Sequence, residues 1–419
     1  MNMQTGKGYP LDNSGIIHLA AARKWHTNSF RFCITLTEQV DKFTLQRALC
    51  NIPPRFPTIA AGITSNFFQF RVIPVTATPS ILYQRDVLLP MTKQEINRCA
   101  MRVLYSEKQI IGEFFHALTD GTGGYQFMMA LLAEYVRLKY GLILPKDASV
   151  LLAEEPPSAE ELADDYFTYS GGETEPLKYK KVYQLPGKAK DGAKLYLTSK
   201  MFSTQRILAA AHRYGVSLTV FLTAIMAVAV VEIQQAHLNR NHRAKPIQIM
   251  VPVNLRKRFS SRSVRNFSLY ALPRLEPDEI GLSFEELLQI VKRQLEELTN
   301  KEKMAAAMTT NTKLEQMAFM KVLPLFIKCS ILRVAHRLCG EQTSCISLSN
   351  LGAVSLPEEL KPYISYIEMA LTPRISSPYN CGVISVGDHC AITISRYCAE
   401  PELEEHFFKK LSYYITEDT

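Results

Sequence analysis

The chain has 419 residues, 47% apolar and 21% charged, with a formal net charge of +8. This composition describes a globular protein with a large interior and excludes disorder, and the length predicts two domains or two halves packed as one body. The positive balance favours anionic small molecules or surfaces, but no aromatic-basic repeat or nucleic-acid motif accompanies it, so no DNA or RNA partner is expected. In chain order, residues 29–37 (SFRFCITLT) alternate as a strand does, 40–50 carry apolar positions at helical spacing, and 67–74 (FFQFRVIP) read as another strand. Residues 101–105 and 109–115 predict a hairpin whose second arm feeds into His116. Beyond it, apolar residues recur at three- and four-residue steps from Tyr125 to Leu138, with Gly141 as a helix stop.

From residue 151 to 190 the texture changes to acidic, then glycine- and lysine-rich sequence with little to bury. A surface crossover is expected there, dividing the chain into a first half (1–165), a linker (166–192) and a second half (193–419). The second half predicts a strand at 193–199, a helix at 204–213 and a helix capped by Ser217. Its apolar run LTVFLTAIMAVAVV is shorter than the ~20 residues a bilayer requires, so a buried helix and no membrane span are expected. A strand at 247–253, a charged amphipathic helix at 283–299, strands at 345–354 and 381–395, and a closing helix complete a mixed α/β chain. Nine cysteines without a Cys-x-x-Cys pair fit free thiols in a reducing compartment better than disulfides or zinc. The first fifteen residues lack the features of a signal peptide, and a cytoplasmic location is expected.

One stretch carries chemistry. In FFHALTDGTGG (114–124), His116 ends a strand and Asp120 opens a helix, four residues apart, with Gly121 following at once. A His-x-x-x-Asp-Gly match is expected by chance roughly 0.01 times in a chain of this composition. Three readings compete. An imidazole at its ordinary pKa is largely neutral near pH 7 and can accept a proton from a hydroxyl, amine or thiol. A second reading makes His116 a packed core histidine. A third makes His116 and Asp120 metal ligands, but no further His/Cys cluster completes a site, so no metal is expected. No Gly-x-Ser-x-Gly elbow supports a serine hydrolase.

FFHALTDGTGG resembles the HxxxDG signature of chloramphenicol acetyltransferase-like acyltransferases, a superfamily that includes peptide synthetase condensation domains. Residues 26–63, through the Arg55–Pro57 turn, resemble the opening strand and helix of that group. MVPVNLRKRF (250–259) resembles its second-half strand end, Asn266 matches a recurring asparagine, and SLSNLG (347–352) resembles a late element. The likeness spans most of the chain in order and is strongest to the alcohol acetyltransferase branch. Two features depart from condensation domains: Phe115 replaces the first histidine of their doubled motif, and no Asp-Phe-Gly-Trp-Gly occurs, Trp25 being the sole tryptophan.

The resemblance implies two α/β sandwich halves in a V around a central tunnel, with donor and acceptor meeting at His116. It implies an acyl-CoA donor and an alcohol or lipid acceptor, no permanently bound cofactor, and His116 as general base without an acyl-enzyme. Asp120, Gly121 and Arg256 would support the site, Asp120 pairing with Arg256 across the halves. Ser349 and Asn350 would stabilise the oxyanion or shape the tunnel. Lys257 and Arg258, with Arg262 and Arg265, would attract the phosphates of coenzyme A. Transfer from a phosphopantetheine carrier protein, transfer to an amine, and a non-catalytic binding role stand as alternatives on the same fold.

Overall fold

The computed structural model describes residues 8–416 apart from 24–25, 85–86, 146–148, 175–180, 188–193, 239–243, 318–322, 340–341 and 375–376. Trp25, Ala193 and much of the expected linker therefore lie outside the described residues. Within that linker, Asp165–Tyr169 is a short helix whose Tyr166 is buried against the Phe267 ring, and Val182 and Leu185 are buried too. Its described residues are thus partly packed against the second half.

The first half is built on a five-stranded sheet in the order Ile364–Leu371, Ser29–Leu36, Gln109–Phe115, Met101–Tyr105, Leu82–Tyr83. The expected hairpin forms, with Leu104 facing Ile111. Phe30, Phe32, Ile34, Ile110 and Phe114 are buried in the core that the helix Gly121–Tyr140 covers. The helix lies close to the sheet because Gly112 has no side chain: a Cβ there would stand 2.3 Å from Met128 Sδ. It ends at Gly141, whose φ of 72° is the left-handed conformation that glycine adopts without strain.

The second half centres on a seven-stranded sheet ordered Ser268–Ala271, Ile247–Asn254, Ile346–Ala353, Tyr379–Val386, His389–Arg396, Tyr196–Ser203, with Arg274–Leu275 also on Ile247–Asn254. Helices Leu218–Ala236, Phe284–Leu298 and Glu402–Thr416 share its core. Ser217 caps the first of these by accepting from Val220 N, as expected. By length and apolarity alone that helix is able to cross a membrane, but 78% of its apolar stretch is buried. Burying its whole circumference is how an all-round apolar helix is accommodated in a large globular core.

Sheet membership does not follow chain order. The strand Ile364–Leu371 leaves the second half and pairs antiparallel with Ser29–Leu36 at the edge of the first sheet. The predicted strand at 67–74 is shorter than expected, running Phe70–Pro74. Asn66 Oδ1 accepts from the backbone N–H of Phe68 and Gln69 and closes a turn there, so Phe67 and Phe68 form the tip of a hairpin with Ala61–Ser65. Among the described residues six α-helices went unpredicted: Asn13–Ala21, Lys301–Gln316 and Leu325–Cys339, and the short Lys93–Arg98, Asp165–Tyr169 and Arg256–Phe259.

Candidate active site

His116 leaves the sheet immediately after Gln109–Phe115, and its backbone N–H donates to Asn28 O at 2.9 Å. The imidazole is partly buried, stacked on His18 with ring centroids 4.2 Å apart and edge-on to Phe30. Burial pushes its pKa below the ordinary imidazole value, against the upward pull of Asp120. A neutral ring near pH 7 is the result.

His116 Nδ1 lies 3.2 Å from Asn266 Oδ1, and Asn266 Nδ2 points at both oxygens of Asp12, at 3.4 and 3.5 Å. An ionised carboxylate only accepts, so Asp12 fixes which end of the amide faces it. The amide oxygen then faces His116 and accepts a hydrogen bond from Nδ1–H, leaving the lone pair on Nε2. Asp12 is itself held by the backbone N–H of Gly15, which it caps, and by Arg265 Nε at 3.5 Å. Burial raises its carboxyl to about 6, with Arg265 pulling down and Asp164 pushing up.

This arrangement lets Asn266 set the orientation of the His116 ring, with a pH signature. As pH falls through about 6, Asp12 protonates, gains a donor and no longer holds one amide orientation. Asn266→Ala is expected to lower kcat on the order of tenfold, about the value of one net hydrogen bond. The acid limb of its pH profile should move to lower pH, because only the depressed pKa of His116 remains. An unchanged acid limb would remove Asp12 from the chain of control.

Asp120 and Arg256 meet as expected. The carboxylate and guanidinium form a two-pronged pair, Nη1 to Oδ2 at 2.8 Å and Nη2 to Oδ1 at 3.0 Å, both side chains buried. Asp120 also caps Gly121–Tyr140 through Thr122 N and Gly123 N and accepts from Phe267 N at 2.9 Å. Arg256 also donates to Ser263 O and Arg265 O, both at 2.6 Å, and to Asn254 Oδ1 at 3.3 Å. The pair therefore ties the helix after His116 to the loop that carries Asn266. Gly121 begins that helix, and a Cβ there would meet only the Leu351 side chain at 3.2 Å. The strict requirement for glycine falls instead on Gly123, where a Cβ would lie 2.0 Å from Val264 O.

Ser349 and Asn350 lie on Ile346–Ala353, in register with Gly382 and Val383. Leu351, next along, touches the start of the His116-proximal helix, and Tyr125 Oη donates to Ser355 O. The Asn350 side chain is engaged locally, donating to Thr219 Oγ1 at 3.1 Å and accepting from Gly352 N at 2.8 Å. Lys257 and Arg258 are exposed on the short helix Arg256–Phe259, and Arg258 donates to Thr299 Oγ1. Arg265 corrects an expectation: it is buried against Asp12 and Pro10 O, with no surface left for a phosphate.

Asp12 and His18 escaped the sequence reading. Both belong to the helix Asn13–Ala21, Asp12 as its cap and His18 near its end, with Asn28 Nδ2 2.7 Å from His18 Nδ1. The Asp-Asn-Ser-Gly start is a capping signal that would have announced that helix.

No protein-family model and no curated protein matches the sequence. Solved structures do. The chain is similar to trichothecene 15-O-acetyltransferase from Fusarium sporotrichioides, with TM-score 0.59 and 12% identity over 97% of this chain and 93% of that one. It is similar to the wax ester synthase/diacylglycerol acyltransferase from Marinobacter aquaeolei VT8, with TM-score 0.56 and 13% identity over 97% and 98%. A third is the starter condensation domain of rhizomide synthetase, solved with C8-CoA and Leu-SNAC, with TM-score 0.59 and 14% identity over 97% and 93%. At these identities the likeness speaks for architecture. The chain has the two-half α/β fold shared by condensation domains and chloramphenicol acetyltransferase-like acyltransferases.

Proposed function

We propose that the protein transfers an acyl group from acyl-CoA to a hydroxyl acceptor, in the manner of an alcohol acetyltransferase, with His116 as general base. The observation that carries this reading is the state of His116: a neutral imidazole whose Nδ1 proton is held by Asn266, leaving Nε2 to accept a proton. In the proposed step Nε2 removes the hydroxyl proton while the acceptor oxygen attacks the thioester carbonyl. The tetrahedral intermediate then collapses, the C–S bond breaks, and the departing thiolate takes the proton back from the imidazolium. The products are an ester and free coenzyme A thiol, and no acyl-enzyme forms.

The fold neighbours support the reading by what their names print: an O-acetyltransferase, a wax ester synthase/diacylglycerol acyltransferase, and a condensation domain holding C8-CoA. Donor and acceptor would reach His116 along a tunnel between the halves. Ser349 would line that tunnel, and exposed Lys257 would draw in the coenzyme A phosphates. The test is release of free thiol from a panel of acyl-CoAs with mixed alcohols and amines, compared with release from a loaded carrier protein. Release that depends on an alcohol and on acyl-CoA is the expected outcome. Release confined to the loaded carrier, or to amines, would move the protein to peptide-synthetase-like chemistry. None from any donor would leave a binding role.

A further inference from the structure

The hairpin tip and the helix Leu325–Cys339 form one exposed aromatic surface. Phe67 and Phe68 are 63% and 49% exposed, their rings edge-to-face at 5.0 Å, and Phe326 at the start of the helix is 67% exposed. The two elements are fastened together rather than merely near: Leu325 N donates to Phe67 O at 2.8 Å and Lys328 Nζ to Phe68 O at 2.9 Å. The Asn66 side chain locks the turn that pushes both rings outward. Val334 continues the exposed face two turns along the helix from Phe326, with Ser330 and Arg333 beside it. Three large aromatic rings held in water at a fixed protrusion cost free energy unless something covers them.

The charge around the rings says what does. Residues 61–74 contain Arg71 and no acid, and the helix start at 323–334 contains Lys328 and Arg333 and no acid. Aromatic rings that project from a tip and a helix end, instead of lining a groove, with cations and no carboxylates in the same segments, match a bilayer interface carrying anionic headgroups. We infer that this face docks the protein on an anionic lipid surface, with Phe67, Phe68 and Phe326 inserted among the headgroups. The surface also lies one helix from His116: Arg333 Nε donates to Ala20 O at 3.2 Å on Asn13–Ala21, the helix whose His18 stacks on His116. The docking does not depend on the acyl-transfer reading.

The experiment is co-sedimentation of the full chain with vesicles of phosphatidylcholine alone and of an equal mixture of phosphatidylcholine and phosphatidylglycerol. The wild type is expected to bind the mixed vesicles, to bind the neutral ones less, and to be released by salt. The variant Phe67→Ser/Phe68→Ser/Phe326→Ser should bind the mixed vesicles more than tenfold more weakly, while its activity on a soluble acceptor stays at the wild-type level. His116→Ala should bind as the wild type does, so the two proposals fail separately. Wild type that ignores both vesicles, or a triple variant that binds as tightly, overturns the inference. So does capture of an acidic carrier protein through these three residues without any vesicle binding, which would make the surface a protein interface.

Discussion

Replacing His116 with alanine is expected to lower kcat/KM for acyl transfer by about 10²- to 10⁴-fold, the usual worth of a positioned general base. The fold should survive, because Asp120, Arg256 and Asn266 hold the surrounding loops without the imidazole ring. Circular dichroism and a thermal unfolding midpoint close to wild type, beside a collapsed rate, are the expected pair of results. The loss should fall on kcat more than on the donor KM, since the proton is transferred only in the transition state. A variant that keeps full transfer activity would return His116 to the status of a packed residue. His18 offers a control: its ring stacks on His116, yet its own Nδ1 faces Asn28. Loss of His18 should therefore not reproduce the loss of His116.

The second large effect concerns stability. Asp120→Asn is expected to destabilise the protein by about 3–5 kcal/mol, because it leaves the Arg256 cation buried without its counter-charge. Activity should fall with it, since the pair secures the loop that delivers Asn266 to His116. Urea or thermal unfolding followed alongside the rate decides the matter. A variant as stable as the wild type but inactive would give Asp120 a direct part in the chemistry. Arg256→Lys should behave almost as badly as the asparagine, because a lysine ammonium cannot span both carboxylate oxygens and the two carbonyls that the guanidinium reaches together.

Local chemistry was legible and long-range pairing was not. The strand-loop-helix junction around His116 follows from a β-like run, an aspartate at a helix entrance and a periodic run, all read between residues 109 and 141. The Asp120–Arg256 pair came from resemblance, and the structure places those two atoms groups at hydrogen-bond distance although 136 residues separate them. The basic run 256–265 was misread in part because sequence shows charge but not direction: Arg256 and Arg265 point inward to Asp120 and Asp12, while Lys257 and Arg258 face solvent. Asp12 was missed because the helix it caps is short and its apolar pattern weak. The strand Ile364–Leu371 carries no local mark of the sheet it joins, since its partner lies more than 300 residues earlier.

That crossing strand constrains how the molecule can be made. Until Ile364–Leu371 has been synthesised, Ser29–Leu36 has an open edge, and unpaired strand edges recruit other chains. The wait after Gln109–Phe115 is roughly 250 residues, or ~10–50 s at ordinary ribosomal rates. The nascent first half is therefore an incomplete sheet throughout that interval, a natural client for chaperones, and severing the two halves genetically would make the same defect permanent.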